Sequence, residues 1–331
     1  MQLNFSNQPN VRIEPGPALT WQGVPVTMYT GSVDALLQMI PLFRRQAFIV
    51  DGGENPNLDV LLREPIGFEQ PPAIPVATVS KNYELIQHRV VIQTIMEAFA
   101  SAGHNFQQTS GQLALTHFGE RLLLDMELPG YEHHPIPGDL VKLKVFIINS
   151  VDRSSALNIR FAWYRLVCSN GLILPTETPT YRRVHSLLLP EKQSVEKFVR
   201  NQASRLKDQQ SIFRKWAQTP VRMSQIETWV DDVVAKRWGI HAAARVCHIA
   251  RTGYDGKVEP VFKKISPHEY PVSRSANVPA SGAPVSDLYY LSQALSWVAS
   301  REQALERRLE RMSEIGDLLG PLCRSMEHDY N

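Results

Sequence analysis

Cys168-Ser169, at the end of the run Tyr164-Arg165-Leu166-Val167, is the pair of residues whose types come nearest to a nucleophile. A thiol or hydroxyl attacks only when a base within hydrogen-bond reach takes its proton, and nothing nearby in the sequence supplies one. The pair therefore reads as a junction where a strand enters a turn, because the following Asn170-Gly171 tolerates positive φ at little cost. His133-His134, close to Glu132 and Asp139, lacks the i, i+2 or i, i+4 spacing of metal ligands and reads as a surface loop. His241, Cys247 and His248 sit in alanine-rich chain that reads as the core side of a helix or strand. GxGxxG, GxxxxGK(S/T) and HExxH are absent, so nucleotide hydrolysis and zinc proteolysis have no support and no cofactor is called for.

The residue types fit phosphate binding better. The net charge is only +2, yet its distribution is uneven: residues 1–150 sum to −5, residues 151–218 to +7 and residues 219–331 to zero. Lys142, Lys144, Arg160 and Arg165 fall on expected strands, and Tyr164, Tyr181, Arg182, Arg183 and His185 fall on or beside the polar connection that follows. Several cations acting together hold a phosphate backbone, and aromatic rings among them stack the bases of a single strand. The competing reading is a solvated basic face whose cations pair with the acidic N-terminal third.

These residues need a scaffold. A chain of 331 residues with 43% apolar side chains builds a sizeable core and one large or two ordinary domains. Three cysteines with no CxxC spacing fit a reducing compartment. No 18-residue apolar run and no basic-then-apolar leader occurs, which points to a cytoplasmic protein with no membrane span. Residues 1–75, rich in proline and polar turns, read as an irregular layer, with a short helix after Ser32. A strand over 76–79 and a helix over 82–102 come next. Strands over 113–117, 121–128, 140–150 and 156–168, separated by turn residues, form an antiparallel meander with one face on the core and one wet. A basic amphipathic helix is expected over 191–218, a helix capped by Ser224 over 224–238, a turn at 253–257, a proline-rich loop over 266–284, and one long helix over 286–319.

Four runs stand out: Val79-Ser80-Lys81-Asn82-Tyr83-Glu84-Leu85-Ile86, Arg165-Leu166-Val167-Cys168-Ser169-Asn170-Gly171-Leu172, Arg183-Val184-His185-Ser186 and Asp287-Leu288-Tyr289. Together they resemble an uncharacterised family encoded on plasmids and prophages, the YafZ/YubP-like domain-of-unknown-function group. The resemblance spans about 76–315 and implies a mobile-element context with no established catalytic residues.

The expected fold is α+β: an antiparallel β-meander flanked by helices, with long C-terminal helices. Its divisions are residues 1–75, an α+β core over 76–218 and a helical part over 219–331. Helix, meander, helix is similar to the core order of single-strand annealing proteins, a fold-level analogy. The expected function is non-enzymatic binding of single-stranded DNA, in annealing or recombination, by a protein able to form homo-oligomers. The alternative is a protein-interaction module for counter-defence or host takeover, without nucleic-acid binding.

Overall fold

The computed structural model describes residues 11–13, 18–65, 73–106, 109–165, 170–172, 181–183 and 192–329. Among the described residues helix makes up 39% and strand 35%, in antiparallel sheets followed by C-terminal helices, which is an α+β fold. The chain divides into two compact units. The first comprises residues 1–130, 143–161 and 179–204, the second 131–142, 162–178 and 205–331.

The first third is far more regular than its prolines suggest. It contains β1 (Val11–Ile13), β2 (Leu19–Trp21), β3 (Val24–Ser32), α1 (Val33–Gln38), β4 (Phe43–Val50), β5 (Gly53–Arg63) and β6 (Ile74–Ser80). Two tight hairpins account for the difference: Gln22-Gly23 and Asp51-Gly52 each place both residues at positive φ, the geometry that matches the twist of flanking strands. Helix α1 starts as expected, with the Ser32 hydroxyl accepting from the Ala35 amide at 3.3 Å.

Helix α2 (His88–Ser101) begins six residues later than its apolar spacing suggests, because tertiary contacts hold the preceding chain extended. The Gln87 amide accepts from the Phe43 amide at 3.0 Å and donates to its carbonyl at 2.6 Å, and the Tyr83 hydroxyl donates to the Val151 carbonyl. The meander follows as β7 (Ser110–Thr116), β8 (Arg121–His133), β9 (Val141–Ser150) and β10 (Leu157–Arg165). It belongs to a nine-stranded sheet ordered β1-β3-β7-β8-β9-β10-β11, where β11 is Asn170–Leu172; β2 also pairs with β3, and β12 (Tyr181–Arg183) with β10. Asn170 and Gly171 thus lie on a strand, not in a turn. Strands β4, β5 and β6 form a separate sheet.

The meander has no wet face. Along β9, Leu143, Val145 and Ile147 are fully buried, and Lys144, Phe146 and Ile148 on the opposite face are nearly so. In the first unit an aromatic chain runs through Phe106, Phe99, Phe161 and Phe198, at centroid separations of 5.2, 6.0 and 5.8 Å. It joins α2, β10 and the first half of α3 (Lys192–Gln218).

The second unit departs further from expectation. Helix α4 (Met223–Trp229) starts after Arg222, whose amide donates to the Gln225 side chain, and continues through a π-helical turn, Val230–Val234, into α5 (Ala235–Trp238) and then α6 (Ile240–Thr252). The supposed turn and loop at 253–284 contain a β-hairpin, β13 (Tyr254–Val258) against β14 (Val272–Asn277). The single C-terminal helix is two, α7 (Leu288–Ser300) and α8 (Leu305–Asp329). Arg308 donates twice to the Glu302 carbonyl, so that acceptor serves a side chain where a continuing helix would need it for an amide. Gly316 lies inside α8.

The hairpin root is anchored on Asp255. Its carboxylate accepts Arg245 Nε and Nη2 from α6 at 2.8 and 2.6 Å, and Trp297 Nε1 from α7 at 2.9 Å. Burial raises the Asp255 pKa, but the hydrogen bonds and charge of Arg245 outweigh it and hold the carboxyl below its usual value. Its contribution to stability is therefore complete above the ordinary carboxylate range and is lost as pH falls through the folded value. The stability difference between wild type and Asp255→Asn in urea should stay constant above about pH 5 and shrink below it. Next to it, a Cβ on Gly256 would sit 1.7 Å from the Ser273 carbonyl oxygen. Gly256→Ala should therefore cost at least roughly 1–3 kcal/mol in the same measurement.

Candidate nucleic-acid interface

Each unit carries part of the basic set. In the first unit, the register places Tyr181, Arg182 and Arg183 of β12 opposite Ile159, Asn158 and Leu157 of β10. Arg160, on the same stretch of β10, is half-buried, and its Nε donates to the Asn158 side chain at 3.2 Å. Backbone pairing thus brings Arg160 and the tripeptide onto adjacent strands. The exposed face of α3 adds Lys197 and Arg200, the latter also donating to the Ser101 carbonyl at 2.6 Å.

Lys144, also in this unit, has a different role. It is only 7% exposed, and its Nζ lies 3.0 Å from Asp125 Oδ1 on β8. The alternation Val141-Lys142-Leu143-Lys144-Val145 places both lysines on one face, but that face is covered at Lys144. An ammonium there needs a carboxylate partner. Burial pushes the Asp125 carboxyl up, against the lowering effect of Lys144.

In the second unit, Lys142 is half-buried and 3.5 Å from Glu132, a pairing worth about 0–1 kcal/mol. Tyr164 is half-buried on β10. Arg165 is 3% exposed and enclosed: Nε and Nη2 engage Asp139 at 2.7 and 2.6 Å, and Nη1 donates to the Ala280 carbonyl at 3.0 Å. The Tyr289 hydroxyl of α7 completes the set, donating to Asp139 Oδ2 at 2.8 Å. Arg165 and Lys144 are thus structural groups facing protein, withdrawn from any surface a phosphate could reach. Cys168 and His185 lie outside the described residues.

The other residues with chemical potential are also absorbed into packing. His133 is not in a loop; it ends β8, buried between Trp163 and Phe213 at 6.5 Å from each ring, and burial with the nearby Arg214 charge lowers its pKa. Burial pushes the Cys247 thiol on α6 up to about 11, so at neutral pH it is a protonated core residue. Sequence reasoning missed Asp125 and Asp139 as the partners that decide the fate of two basic candidates. Their only signal was the excess of acid before residue 150.

Residues 75–254 match the family described as domain of unknown function DUF932. The chain belongs to the DUF932 family. The match covers more than half of the chain and takes in β7 to β10, β12 and α3, so every basic candidate described above lies inside the DUF932 region. Searches of curated proteins and of solved structures returned no match.

Truncating Lys144 leaves Asp125 buried without its cation, so Lys144→Ala should cost about 3–5 kcal/mol in denaturant unfolding. Lys142→Ala should cost no more than about 1 kcal/mol. Equal effects of the two would contradict the assignment.

Proposed function

We propose that this DUF932 protein binds single-stranded DNA without enzymatic turnover, as an annealing or recombination factor of a plasmid or phage. In this reading it acts in the cytoplasm as a homo-oligomer. The observation that carries it is the laying of Tyr181-Arg182-Arg183 along β10 beside Arg160, within the segment of net charge +7. Cations on paired strands have fixed spacing, which suits a regularly charged backbone, and a tyrosine in the same run is of the type that stacks a base. The order α2, meander, α3 is that of annealing proteins by analogy. Arg160, Arg182 and Arg183 are the proposed backbone contacts, with Tyr181 stacking. Lys142 and Tyr164 belong to the second unit and are secondary.

One finding favours the alternative, a protein-interaction module. Lys142, Lys144 and Arg165 all pair with acids at positions 125–139, as a basic face neutralised from within would do. The two readings separate on the behaviour of the strand-borne arginines.

In a fluorescence anisotropy titration with a labelled thymidine oligonucleotide at low salt, wild type should bind. Affinity should fall with a log–log salt slope of about −0.7 per phosphate neutralised. Arg182→Glu with Arg183→Glu should weaken binding and reduce that slope by at least about 1.4. Unchanged binding in the double variant, or no binding by wild type, refutes the proposal. Purified wild type should also carry nucleic acid, seen as a raised ratio of absorbance at 260 to 280 nm.

A further inference from the structure

The hairpin of the second unit ends in an apolar side chain with nothing around it. Phe262 is fully exposed, at 104% of its reference area, while the next most exposed large apolar side chain among the described residues, Ile49, is at 60%. Lys263 and Lys264 follow it and are exposed, as is Lys257 on β13. The only acidic side chain between 256 and 266 is Glu259, which is half-buried.

The rest of the hairpin is held firmly. Glu259 donates its amide to the Pro271 carbonyl at 2.9 Å, closing the stem above the Asp255 anchor. Beyond the tip, the Ser266 amide donates to Glu269 Oε2 at 2.9 Å in the turn Pro267–Glu269. His268 donates its amide to Asp231 Oδ1 at 3.0 Å, and its Nδ1 lies 2.6 Å from Asp231 Oδ2. Arg251 bridges from the His268 carbonyl at 2.9 Å to Glu227 at 2.7 Å. On the stem, the Arg274 guanidinium lies 3.8 Å from the Tyr254 ring centroid. Both ends of the tip are fixed to helices of its own unit, and the aromatic residue stands out between them.

Leaving a phenylalanine in water forgoes about 1.5–3 kcal/mol of burial. A ring followed by cations can recover this by stacking on an unpaired base, at about 1–3 kcal/mol per base, while the ammonium groups meet the neighbouring phosphates. A lipid surface is the weaker match: Val261 and Ile265 are half-buried, so one ring is on offer, and even a whole single acyl chain gives only marginal anchoring. We infer that Phe262, Lys263 and Lys264 form a second contact for single-stranded nucleic acid, the ring stacking on a base and the lysines on its phosphates. The inference rests on the reading of the protein as a single-strand binder, but uses residues outside the DUF932 match and none of its proposed arginines.

The test uses the full chain and the labelled thymidine oligonucleotide. Phe262→Ala should weaken binding roughly 5- to 150-fold with an unchanged salt slope. Phe262→Trp should retain binding. Lys263→Gln with Lys264→Gln should reduce the slope by about 1.4. All three side chains are exposed, so thermal unfolding should match wild type in every variant. If wild type and the Arg182, Arg183 variant behave as proposed while the tip variants bind like wild type, this inference alone is overturned. If wild type does not bind, both readings fall. If Phe262→Ala loses binding to phosphatidylserine vesicles and keeps full binding to the oligonucleotide, the tip belongs to a membrane contact and the inference is overturned.

Discussion

The pairing of Arg165 with Asp139 is the constraint around which the second unit is arranged. A guanidinium and a carboxylate withdrawn from water lose several kcal/mol of hydration each, recovered only when nearly every donor and acceptor is used. Here three sources contribute: two parallel bonds between the charges, the Ala280 carbonyl, and the Tyr289 hydroxyl from α7. Those groups belong to β10, the chain leading into β9, the approach to α7, and α7 itself. Their positions are thereby fixed relative to one another, since moving any one strands a buried charge. The aromatic cluster of His133, Trp163, Phe213 and Tyr289 packs beside the same tyrosine. Apolar packing supplies the bulk of the stabilisation and the ion pair its uniqueness of arrangement, an inference in line with buried charges in other cores.

The same physics separates the basic residues into those the fold uses and those it leaves at its edge. Lys144 and Arg165 lie where the sheet is covered on both faces, and each has one carboxylate at bonding distance. Arg160 is on β10, and the β12 tripeptide pairs with that same strand where the sheet ends. A high local charge in a sequence thus has two structural meanings, and the difference lies in the neighbouring strand.

That is also why the sequence could be read only in part. The meander strands and α3 were legible because alternation and the 3.6-residue period are local properties of the chain, and β7 to β10 fall within a few residues of their expected bounds. The start of α2 was not, because Gln87 is held by Phe43 and Tyr83 by Val151, partners distant in sequence. The break between α7 and α8 depends on Arg308 turning back to the Glu302 carbonyl, which no periodicity encodes. Composition misled most in the first 75 residues and at 253–284, where prolines and glycines occupy turns and a bulge within strands. For the candidate interface, the cations were visible and their carboxylates were not, since Asp125 and Asp139 become partners only through strand order.

The anchoring of the β13–β14 root has a consequence for how this protein can diversify. Asp255 and the close backbone approach at Gly256 carry the structural demand of the hairpin, and residues 260–265 carry almost none. The hairpin begins where the DUF932 match ends, at residue 254. Its tip is therefore an interchangeable part: length and side chains there can be replaced at little energetic cost, so a change of partner can evolve without renegotiating the core.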